Sequence, residues 1–146
     1  MKKLLSFGLF CLVIFSLFTP SAWAQSQECP YKAASQSDNN GNTVITLTAI
    51  VDSLTIHNVS VNRGNCLAIR PADVDIMIIG EDPILKEFRA RKISEAEFVK
   101  KVNEKYSPRL AAKLGFGDTL KVAIAACKLL EIRVETDQGS WTTSFN

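Results

Sequence analysis

Two stretches of this 146-residue chain alternate apolar and polar residues with a period of two, and that spacing calls for β-sheet with one buried face. In the first, Ile45, Leu47, Ala49 and Val51 fall on one face, with Thr46 and Thr48 opposite. The next run, residues 53–62, changes phase: Leu54 and Ile56 share one face, Val59 and Val61 the other. One extra residue near His57 and Asn58 returns all four to the same side, so the pattern predicts a β-bulge there. Toward the C-terminus, Leu120, Val122 and Ile124 alternate with Lys121 and Ala123, and Leu130, Ile132 and Val134 with Glu131, Arg133 and Glu135. Residues 115–118 (GFGD) and 137–140 (DQGS) read as turns. The second is a hairpin signal leading into Trp141, Thr143 and Phe145 on one face, which makes Trp141 and Phe145 expected core anchors of the last strand. Short alternating strands at both ends, joined by turns, predict a mainly β chain folded as an antiparallel sandwich.

The middle of the chain departs from that period. Residues 74–79 (VDIMII) form a short apolar run, expected as a buried strand. Residues 83–91 and 94–106 read as helices. Ser94-Glu95-Ala96-Glu97 is a capping box, and Phe98, Val99, Val102 and Tyr106 supply one packing face before Pro108 ends the helix. A helical insertion at about residues 83–113 is therefore expected inside the sandwich.

The N-terminus has the layout of a secretory signal peptide. Lys2 and Lys3 precede an apolar run from residue 4 to residue 18, then Pro20 and the small residues of Ala22-Trp23-Ala24. A spanning helix needs about 20 apolar residues, so the reading is a segment cleaved after residue 24, with no stable membrane insertion afterwards. Residues 25–42 then form a polar, flexible lead-in, and residues 43–146 a single domain. Without Lys2 and Lys3 the 17 Lys plus Arg fall to 15, matching the 15 Asp plus Glu. A neutral chain selects no partner by net charge.

Export places the remaining cysteines, Cys29, Cys66 and Cys127, in an oxidising compartment, secreted or periplasmic. Cys66 and Cys127 each border a strand-like run and are the favoured disulfide pair, though spacing alone leaves the pairing open. The odd count leaves one thiol over, and Cys29 is the candidate for an interchain bond. The spacings match no zinc or thioredoxin-like motif, no nucleophile elbow or phosphate loop occurs, and the lone His57 has no evident partner. Neither an enzyme nor a cofactor or metal site is expected. Residues 86–113 hold nine basic and four acidic residues. Lys100, Lys101 and Lys105 are there a candidate docking face for an acidic protein or envelope surface, whereas nucleic acid is not expected to meet an exported chain.

The blocks SLTIHNVSVNRGNC (residues 53–66) and GFGDTLKVAIAACKLLEIRVETDQGSWTTSFN (residues 115–146) resemble the interleukin-receptor-mimic (IrmA-like) family of small exported enterobacterial proteins. The points of similarity are residues 61–66 (VNRGNC), the Phe116-Gly117 turn, Cys127 and the closing residues 136–141 (TDQGSW). The resemblance implies a fibronectin type III-like sandwich that dimerises by strand exchange and binds host cytokines as a receptor mimic. It does not extend over residues 74–113. Two functions are thus in view: an exported protein-binding module, or a cell-envelope assembly or accessory protein docking through its basic insertion.

Overall fold

The computed structural model describes residues 28–37, 42–125 and 127–145. Eight strands form two four-stranded antiparallel sheets: β1 (Tyr31–Ser37), β2 (Thr43–Ala49), β3 (Ser53–Val61), β4 (Leu67–Ile69), β5 (Ala112–Gly115), β6 (Thr119–Ala125), β7 (Glu131–Thr136) and β8 (Gly139–Ser144). One sheet runs β1-β2-β6-β4 and the other β5-β3-β7-β8. The alternating residues do what their spacing predicts. Ile45, Leu47, Leu54, Ile56, Val122, Ile124, Ile132 and Val134 interleave between the sheets in one buried cluster. The bulge falls at His57: Ile56 sits opposite Thr136 and Asn58 opposite Glu135, so His57 is the extra residue and Val59 and Val61 return to the core. Its side chain is exposed.

Several sequence expectations are corrected. The proposed signal segment lies outside the described residues, but the predicted lead-in contains a strand: β1 pairs with β2 over its full length, Tyr31 opposite Ala49 and Ser37 opposite Thr43. Tyr31 anchors it, buried in the sandwich core. The apolar run 74–79 belongs to a helix, α1 (Pro71–Ile79), rather than a strand. A short continuous apolar run fits either state by period, and here Pro71 at the first position, with its φ already helical, and Asp73 in the first turn decide it. The insertion consequently begins near residue 71, continues through α2 (Pro83–Arg89) and α3 (Glu95–Tyr106), and gives way to β5 at Ala112. Leu130 precedes β7 and is exposed. Trp141 and Phe145 are half-buried at the margin of the core rather than anchors within it, because β8 is an edge strand.

β4 joins the two parts of the molecule. Its side chains alternate between faces, and both faces are covered: Cys66 and Ala68 belong to the sandwich core, Leu67 and Ile69 to a second cluster with Met77, Phe98, Val99, Val102 and Tyr106. The outer edge of β4 would expose unpaired backbone groups. Asn103 of α3 meets them as a neighbouring strand would, its Oδ1 accepting from the Ala68 amide at 3.1 Å and its Nδ2 donating to the Cys66 carbonyl at 2.8 Å. The disulfide Cys66–Cys127, with Cα atoms 5.6 Å apart, clamps the same end of the β4–β6 ladder. Its 61-residue separation corresponds to about 4 kcal/mol on the chain-entropy scale.

Candidate functional site

Between β3 and β4 the chain turns through strained backbone. Asn62, Arg63 and Gly64 have φ of 47°, 59° and 85°, three left-handed residues in succession. Asn tolerates this region and Gly is free in it, but Arg is not at ease there. Gly64 is needed for its φ and not for space, since an added Cβ would meet nothing within 4 Å. Strain of this kind, of order 1–3 kcal/mol for a residue, persists only where the surroundings over-determine it.

Here they do. The Asn62 carboxamide spans the gap to the segment before β7: Oδ1 accepts from the amides of Leu130 (2.9 Å) and Glu131 (3.0 Å), and Nδ2 donates to the Lys128 carbonyl at 2.7 Å. Asn65 folds back, both its amide (3.2 Å) and its Nδ2 (3.0 Å) donating to the Asn62 carbonyl. The disulfide begins one residue later, at Cys66. A turn tied at both ends in this way holds its shape without a ligand.

The turn presents Arg63, whose side chain is 86% exposed. Its Nε donates to Glu131 Oε1 at 3.1 Å. So exposed a pair adds little stability, but it orients the guanidinium and leaves both Nη groups without a partner among the described residues. Those groups form the fork that binds a carboxylate in bidentate fashion. Leu130, also exposed, lies beside it in a hollow of about 400 Å³. A second hollow, about 510 Å³, runs from Arg63 over the outer face of β7, where Glu131, Arg133 and Glu135 alternate in charge. Arg133 Nε donates to Ser140 Oγ at 3.0 Å and lies 3.6 Å from Glu135. A third, about 770 Å³, separates Gly64 and Asn65 from the start of α3. Three concavities thus meet at one rigid turn with an arginine at its crest.

The residues singled out by sequence are placed elsewhere. Cys66 and Cys127 form the disulfide, next to the turn they brace. Cys29 is a free thiol, half-buried against the sandwich core and directed to the Tyr31 carbonyl at 3.2 Å. Lys100, Lys101 and Lys105 lie along α3, each near an acid of its own: Glu104 at 3.9 Å, Glu87 at 3.0 Å and Asp82 at 2.5 Å. The hydrogen bond to Glu87 raises the Lys101 pKa and that to Asp82 raises the Lys105 pKa. Lys101 and Lys105 are held against their acids, whereas Lys100 stays largely exposed. Asp82 is the buried centre of that network, accepting also from the Tyr106 hydroxyl and from the Ile84 amide at 2.9 Å. Burial alone would raise its pKa, but the hydrogen bonds from Lys105, Tyr106 and Ile84 bring it below the ordinary carboxylate value. Every group of this network has an internal partner, which marks it as structural. No group of His, Cys, Asp and Glu able to hold a metal ion occurs among the described residues.

Arg63 was legible in the sequence only as part of a turn. The available signal was Asn and Gly flanking one residue, a spacing suited to left-handed backbone. Compared with known protein families, curated proteins and solved structures, the chain matches none. No helix among the described residues is long and apolar enough to cross a membrane.

Proposed function

We propose that this chain is an exported, non-enzymatic protein-binding module of fibronectin type III-like architecture that engages its partner through the Arg63 turn. The observation that carries the reading is the run of left-handed residues at positions 62–64, braced by Asn62 and the neighbouring disulfide and crowned by an exposed arginine. A sandwich core does not require such strain, and strained, over-determined segments cluster at binding sites. Arginine is also among the residues that dominate protein interfaces.

The strand order supports the architecture. Immunoglobulin-like sandwiches set their first, second, fourth and fifth strands in one sheet and the third, sixth and seventh in the other. Here β1, β2, β4 and β6 share one sheet and β3, β7 and β8 the other, with β5 added beside β3. The leader sequence and the disulfide support export to a secreted or periplasmic location. The partner class, host cytokines, comes from the resemblance of residues 53–66 and 115–146, and the Arg63 turn lies inside the first of those blocks.

The test is biolayer interferometry of the oxidised exported protein against a panel of purified mammalian cytokines. At least one should bind at micromolar affinity or tighter. Arg63→Glu should weaken it at least about 30-fold, the size of a hot-spot residue, with Arg63→Lys intermediate because it keeps the charge and loses the fork. A panel with no binder overturns the cytokine assignment. Binding that ignores Arg63→Glu removes the turn as the site.

A further inference from the structure

Among the described residues, α1 lacks the cover its composition calls for. Apolar residues surround most of its circumference, a pattern that belongs to a helix packed on several sides. Yet only Asp73 and Met77 are buried, while Ile76, Ile78 and Ile79 are 54%, 48% and 79% exposed. At helical spacing Pro71, Val74, Asp75 and Ile78 lie along one flank. That flank, with Leu67 and Ile69 of β4, lines a groove of about 350 Å³. An apolar concavity of this size with few polar groups has the composition of a recognition site.

Charge decides what fits it. Asp75 is the one ionisable residue lining the groove, and it has no ion pair among the described residues. Asp73 on the same helix, by contrast, accepts from Arg109 at 2.8 Å. Asp75 is the fifth residue of α1, past the first turn in which the helix dipole favours an acid. Packing α1 against its copy in a second molecule would bring two Asp75 carboxylates together, and an anionic lipid surface would repel each of them.

We propose that the groove beside α1 is a second docking surface, taking a cationic amphipathic segment of a partner protein. Its apolar side chain enters between Val74, Ile78 and Ile69, and its Lys or Arg pairs with Asp75. This is helix-in-groove recognition with one charge fixing the register. It is independent of the Arg63 turn.

The experiment is methyl NMR of the oxidised exported protein, labelled at Ile and Met, titrated with a 14-residue peptide of Leu and Lys at amphipathic helical spacing. A peptide with Glu in place of Lys, and a scrambled Leu/Lys peptide, are the controls. The Leu/Lys peptide should shift the Ile78 and Met77 methyls saturably, and bind at least tenfold more tightly than either control. Asp75→Asn, at an exposed position where folding is not at stake, should remove most of that preference. Ile78→Ser should abolish the response while Arg63→Glu leaves it intact. Equal binding of the Glu peptide, or shifts that avoid α1, overturns the proposal. So does a peptide-free dimer in sedimentation that Ile79→Lys dissociates, or partition into anionic phosphatidylcholine–phosphatidylglycerol vesicles that Ile76→Ser and Ile79→Ser abolish.

Discussion

The two cores of this molecule are held in different ways. The sandwich core is almost wholly apolar: Ile45, Leu47, Leu54, Ile56, Val59, Val61, Val122, Ile132 and Val134 are all at most 1% exposed. The helical annex has a smaller cluster around Phe98, Val102 and Tyr106, with Phe88 stacked on Phe98 at 4.4 Å between ring centroids. What apolar area does not supply there, polar ties do. Asp82 gathers Lys105, Tyr106 and the start of α2, Arg109 holds Asp73, and Asn103 closes the edge of β4. Apolar burial is non-directional and tolerates small shifts, whereas a hydrogen-bonded annex is set in one arrangement and fails when a member is lost. The annex therefore suits a positioned surface, and the sandwich suits a frame.

The sharpest way to break this contrast is to damage each core once and ask how far the damage spreads. Leu47→Ala removes side-chain volume from the fully buried middle of β2 and should cost about 3–4 kcal/mol of global stability. Denaturant unfolding should show it as one cooperative shift, with amide protection lost in both sheets together. A cost below about 1 kcal/mol would mean the sandwich is not the frame.

Asp82→Ala should have a smaller and more local effect. It leaves Lys105 and Tyr106 without their shared acceptor and removes the cap of α2, worth about 2 kcal/mol for groups of this kind. Hydrogen exchange should accelerate in α2 and α3 while β2, β3 and β7 keep their protection. Acid should imitate it. The Asp82 pKa is depressed in the fold, so its contribution is fully present above the ordinary carboxylate value of 3.8 and is lost as pH falls through the lower folded value. The annex should then open at lower acidity than the sandwich. Simultaneous loss of both would show one cooperative unit and end the distinction.

The same contrast explains what the sequence revealed. The middle strands of the sandwich were legible residue by residue, because alternation in β2, β6 and β7 has a single physical reading and even the phase slip at His57 specified its bulge. α1 was not, since VDIMII is apolar at every position but Asp75 and carries no period. β1 was hidden because only Tyr31 and the half-buried Ala33 face the core, and the rest of the strand is exposed. Trp141 misled by type: an aromatic residue at the right spacing looks like an anchor until the sheet order places it on an edge. The Arg63 turn was visible as a turn, but its left-handed run depends on Asn62 reaching a segment 66 to 69 residues away. No local pattern carries that information.

The finest test uses the chain's two tyrosines, one in each core. Both are raised above the ordinary 10.0, first by burial: Tyr31, with the negative charge of Cys29 next, reaches about 12, and Tyr106 is raised further by its hydrogen bond to Asp82. Each fold-raised tyrosine contributes stability that is complete below about 10 and is lost as pH climbs through the folded value. Phenolate absorbance at 295 nm should therefore be lower at pH 10.5 in the folded protein than in the unfolded chain, and should rise at once on unfolding. Cys29→Ser should bring forward the Tyr31 step alone, and Asp82→Asn the Tyr106 step alone. If either substitution moves both steps, the two cores share one electrostatic environment, and β4 couples them more tightly than its two faces imply.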